Sequence, residues 1–68
     1  MSRELPFLIY CLEEYKAVKG LSGKQVAALF AAKKVMEYIV EFFEVLHING
    51  PQYIIQDIDE YIAQFVKV

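Results

Sequence analysis

Apolar residues recur along this chain at helical spacing, and the phase of that spacing shifts more than once. From Pro6 onward, Leu8, Cys11, Leu12, Tyr15 and Val18 fall at the steps that line one side of a helix, which predicts a helix over 6–19. Pro6 suits its first turn, where a missing N–H costs nothing. Glu13, Lys16 and Lys19 point away from the apolar side, while Phe7, Ile9 and Tyr10 fall off it and imply a second contact surface. Gly20 offers the left-handed residue that ends such a helix, and Leu21 the apolar contact that folds back on its last turn. Ser22 with Gln25 three residues on forms a capping box, so a second helix is predicted over 23–32 with Val26, Leu29 and Phe30 inward.

The stretch from Val35 to Leu46 is apolar on nearly every side and polar only at Glu37, Glu41 and Glu44, which make one acidic stripe along a predicted helix over 35–47. Nothing from Ala31 to Lys34 is a helix breaker, so local propensity would join this helix to the one before. Phase argues otherwise. At about 100° per residue, Val26 and Phe30 project on the side of the glutamates, opposite the later apolar face. A bend or short break is therefore expected near Ala32 to Lys34, the alternative being one continuous helix with two contact faces. Asn49-Gly50-Pro51 stops the central helix. Tyr53, Ile54 and Ile55 read either as an extended connector or as an early turn of the next helix. Asp57 with Glu60 resembles another capping box, placing the last helix over 58–66 with Ile58, Tyr61, Ile62 and Phe65 inward. The expected fold is all-α, a single domain over 1–68 built as a small bundle of three to four helices. No internal repeat, linker or low-complexity segment interrupts it.

Composition changes this picture in one respect. A chain of 68 residues is near the lower size at which a hydrophobic core outweighs chain entropy unaided. The lone Cys11 excludes an intramolecular disulfide, and no Cys/His spacing suggests zinc. Yet 57% of the residues are hydrophobic, more than so small a globule can hide. Exposed apolar surface is expected, and with it a protein partner or a homo-oligomer. The formal net charge of -2 gives no general attraction to nucleic acid or anionic membrane. The apolar run from Leu5 to Leu12 follows Arg3 but meets Glu13 and Glu14 without a cleavage pattern, so no targeting signal is read there. Neither that run nor the central stretch is long enough to span a bilayer, and a lone cysteine agrees with a reducing cytoplasm.

Candidate chemistry is sparse. Each member of a would-be triad has a simpler role: Ser22 caps a helix, Ser2 lies near the terminus, Cys11 sits on an apolar face, and His47 lies near a helix C-terminus where its charge is favoured. Glu44-Val-Leu-His47 has the Glu-x-x-His spacing of di-iron helices, but those sites need two such motifs and further glutamates. A homodimer would have to supply the second, so a solvated acidic stripe is the simpler account. Asp57-Ile-Asp59-Glu60 lacks the glycine-rich loop of a calcium site. Lys16, Lys19, Lys24, Lys33 and Lys34 cluster around a short turn that faintly suggests a helix-turn-helix, yet the following helix presents glutamates that phosphates repel. Among ten aromatics, Tyr10, Tyr38 and Phe43 lie off the most economical core stripes, which makes them candidate interface anchors.

The segments Phe7-Leu-Ile-Tyr-Cys-Leu-Glu-Glu-Tyr15, Ser22-Gly-Lys, Tyr38-Ile39 with Val45-Leu-His47, and Tyr53-Ile-Ile-Gln-Asp-Ile-Asp-Glu-Tyr-Ile62 together resemble a family of short bacterial proteins catalogued as domain of unknown function 3791. The last segment is the most specific, and the resemblance covers nearly the whole chain. The chain departs from the family around Ala31 to Lys34, where a more turn-like residue is expected. The resemblance implies a small cytoplasmic helical protein whose relatives are often encoded beside ADP-ribosyltransferase-like proteins, which fits an antitoxin-like or accessory binding role. It carries no catalytic residues. The functional expectation is a non-enzymatic protein-binding module without cofactor or small-molecule substrate. Glu37, Glu41 and Glu44 would select a basic partner, and Tyr10, Tyr38 and Phe43 would anchor the contact. A small helix-turn-helix-like DNA-binding regulator is the alternative.

Overall fold

The computed structural model describes residues 3–64, and every regular element among them is helical. Helix α1 spans Glu4–Lys19 and ends at Gly20, whose φ of 66° is the left-handed conformation that glycine adopts without a Cβ clash. The N–H groups of Gly20 and Leu21 both return to the Lys16 carbonyl, the latter at 3.1 Å, and Leu21 packs against the core as expected. Helix α2, Gly23–Ala32, opens on the full capping box: Gln25 N–H donates to Ser22 Oγ at 3.1 Å, and Ser22 N–H donates to Gln25 Oε1 at 2.9 Å.

The break demanded by the phase of the pattern is present. Lys34 takes the left-handed conformation, φ 56° and ψ 38°, between α2 and α3, Val35–Glu41. The Tyr61 hydroxyl donates to the Lys34 carbonyl at 3.3 Å, so the last helix braces the turn. With the turn in place, Val26 and Phe30 on one side of it and Val35 and Ile39 on the other are all fully buried.

Helix α1 begins two residues earlier than expected, at Glu4, which makes Pro6 its third residue, and two further boundaries differ more widely. The central stretch is not one helix over 35–47, because α3 gives way at Phe42, φ −105° and ψ 24°, to a short α4, Phe43–Leu46. The Val45 and Leu46 amides both return to the Phe42 carbonyl, at 3.1 and 2.9 Å, which restarts the ladder there. On an unbroken helix Phe43 would lie about 80° round from Val35, drifting off the core side. The restart brings Phe43 inward and leaves Phe42 out, in a run of β-branched and aromatic residues that hold a helix weakly. The last helix, α5, spans Pro51–Ala63 rather than beginning at Ile58. Gly50 is its extended N-cap and Pro51 its first residue, so Tyr53, Ile54 and Ile55 are early helix, not connector. The part of the predicted helix at 65–66, with Phe65 on its inward stripe, lies outside the described residues.

All elements converge on one core of Cys11, Tyr15, Val26, Phe30, Val35, Ile39, Leu46, Ile54, Ile55 and Ile58. Helix α1 packs against α2, α3 and α5, and α3 also meets α5. Val18, read as part of the inward side of α1, is instead 61% exposed, because the helix has passed the edge of the core by its last turn. No helix among the described residues is long and apolar enough to cross a membrane.

Candidate interaction surface

The outer side of α3 and α4 carries the sequence feature that stood out most. Glu37, Glu41 and Glu44 are all exposed, and among the described residues no ion pair reaches any of them. Beside them, Met36 and Val40 form with Glu37 and Glu41 the lining of a shallow, open depression. The same stretch of chain exposes Val40 at 44%, Phe42 at 44%, Val45 at 56% and Ile48 at 74%. Apolar side chains this exposed and this close in sequence are unusual on a domain whose core is already filled.

The aromatic candidates divide. Tyr10 is exposed, its ring stacked 6.1 Å from Phe7 on α1. Phe43 is buried: Phe7 meets its ring edge-on at 5.4 Å, His47 stacks on it at 4.4 Å, and the Arg3 guanidinium sits 5.1 Å from its centroid. Tyr38 is half-buried, stacked on Tyr61 at 4.1 Å, with its hydroxyl donating to Asp57 Oδ2 at 2.6 Å. The ring that sequence reasoning missed is Phe42, adjacent to Phe43 and exposed in its place. Only the restart of the helix separates the two, and neither glycine nor proline signals it.

A second polar cluster lies where α5 meets α1 and α3. Tyr15 donates to Asp59 Oδ1 at 2.7 Å, and Lys19 Nζ lies 2.6 Å from Asp59 Oδ2. Tyr38 and Tyr15 thus each bond a different aspartate of α5, on either side of the buried Ile58. Burial raises the pKa of both phenols, and the acceptor carboxylate, which favours the neutral hydroxyl, raises it further. Asp57, read as a helix cap, is therefore a mid-helix acceptor. Desolvation pushes the buried Cys11 thiol up to about 12, with a smaller contribution from Glu14, so at neutral pH it is an unreactive thiol.

Glu44 and His47 do not converge with further ligands. His47 Nδ1 donates to the Phe43 carbonyl at 2.8 Å, and among the described residues no group of three or more His, Cys, Asp or Glu side chains is placed to hold a metal ion. Lys16 pairs with Glu13 at 3.5 Å, and Lys19 is taken by Asp59, so neither is a spare phosphate contact on the turn between α1 and α2.

The fold and these surfaces define a small all-α domain clamped by tyrosine–aspartate bonds, with an acidic and apolar outer side on its central helices. The family model described as protein of unknown function (DUF3791) matches residues 6–64, and the chain belongs to that family. No curated protein and no solved structure matches it.

Proposed function

We propose that this domain is a non-enzymatic protein-binding module that engages its partner through the outer side of α3 and α4. The observation that carries the reading is the exposure of Val40, Val45 and Ile48 in one short stretch, flanked by carboxylates without ion partners among the described residues. Exposed apolar side chains gain by being covered, and flanking charges restrict what covers them. The finer reading, an antitoxin-like or accessory partner of an adjacently encoded ADP-ribosyltransferase-like protein, rests on the family resemblance. Capture from the native cell tests both. A Val45→Ser, Ile48→Ser variant that keeps its helical circular dichroism should lose the partner retained by wild type, and equal retention removes the surface from the reading. Identification of the retained protein then decides the finer proposal. A DNA-binding role is less well supported, since Lys16 and Lys19 are already engaged and the central helices present glutamates. Retention of the domain on DNA at low salt, lost as salt rises, would favour it instead.

A further inference from the structure

The depression on α3 is lined almost wholly by apolar surface, from Met36, Val40 and the stems of Glu37 and Glu41, and both glutamates are exposed along one margin of it. The two glutamates stand one helical turn apart, a spacing at which like charges repel. Nothing among the described residues neutralises them. The chemistry that matches an apolar depression with carboxylates along its margin is a side chain with a long apolar stem and a cationic head, which is arginine or lysine. Further along, Glu44 repeats the carboxylate beside the exposed Val45 and Ile48, so the pairing of apolar and acidic groups continues past the restart at Phe42. Resting on the protein-binding reading above, we infer that the occupant of this surface is a basic amphipathic helix of a different protein, which lays the stem of an arginine or lysine in the depression with its cation toward Glu37 and Glu41, and sets apolar residues over Val45 and Ile48. A second copy of this chain fits less well, since it would bring its own Glu37, Glu41 and Glu44 against these three.

Selection from a displayed library of randomised helical peptides tests the inference without knowledge of the natural partner. Peptides selected on the wild-type domain should be enriched in Arg and Lys beside apolar residues at i, i+3 or i+4. They should bind a folded Glu37→Gln, Glu41→Gln, Glu44→Gln variant at least tenfold more weakly, and lose affinity as salt rises. Selected peptides that are neutral or acidic, or that bind the glutamine variant equally well, overturn the basic-helix inference. If such peptides are still displaced by Val40→Ser, the interaction reading survives that failure. A selection that yields no peptide sensitive to Val40→Ser or Val45→Ser overturns both. A concentration-dependent dimer in sedimentation, dissolved by Val40→Ser, would show a second copy to be the occupant and overturn the inference in that direction.

Discussion

Asp57 and Asp59 are poor helix-interior residues by propensity, and each is retained inside α5 by a tyrosine of another helix. A hydrogen bond to a charged acceptor in a partly buried site is among the stronger ones. Tyr38→Phe should therefore lower stability by about 1–3 kcal/mol in urea unfolding, with the stacking on Tyr61 retained. The same groups set an alkaline limit. Cys11, Tyr15 and Tyr38 all hold their protons more tightly folded than unfolded. Above the unfolded pKa of each group, the unfolded chain releases a proton that the fold keeps, so stability is full below that point and falls as pH rises through the folded value. For Cys11 that window runs from 9.0 to about 12, and the two phenols act in the same sense. Thermal melts should fall steadily above about pH 9, and phenolate absorbance from Tyr15 and Tyr38 should appear only as the helical signal is lost. In a folded Tyr10→Phe, Tyr53→Phe, Tyr61→Phe background, phenolate appearing with the fold intact would contradict the two clamps.

At the scale of elements, the turn between α2 and α3 is the place where sequence and structure conflict locally. Lys34 holds a left-handed conformation that costs a residue with a Cβ about 1 kcal/mol. Lys34→Gly should raise stability by up to about 1 kcal/mol, read as a higher melting temperature, because the Tyr61 bond is to the backbone and survives the change. Loss of Ser22 in Ser22→Ala should cost about 1 kcal/mol by the same measurement. Much of this level was legible in the chain: α2 was bounded by a capping box, α1 by Gly20, and the break by a reversal of phase that no single residue announces. The start of α5 was misplaced because Asp57 and Glu60 have the spacing of a cap, while the real signal was Gly50-Pro51, read only as the end of the helix before it. The restart at Phe42 is set by the core's demand for Phe43, a tertiary requirement without a local signature. The candidate surface inherits that limit. The glutamates were placed correctly on the exposed side by periodicity, whereas the choice between Phe42 and Phe43 depended on the break.

The molecule as a whole is packed to the density its length allows. Its radius of gyration of 11.3 Å lies close to the ~11 Å expected of a chain this size, so the exposed apolar side chains are surplus to a finished core rather than part of an unfinished one. A chain of this length has only about 3–10 kcal/mol of stability to lose. Phe30, fully buried at the centre and edge-on to Tyr15 at 5.3 Å, should cost about 3–5 kcal/mol when cut to alanine, enough to leave much of the protein unfolded. The outer side should behave in the opposite way. Glu41→Lys places a cation one turn after Glu37, turning a repulsive pair into an attractive one, and should stabilise the free domain by a few tenths of a kcal/mol. Val45→Ser should change stability little for a site this exposed. A surface kept only for solvation would accept both changes at no functional cost. If the side is kept for a partner, both variants should fold as well as wild type in chemical unfolding while losing the captured protein, and a variant that is as stable and binds as well would assign these residues to solvent alone.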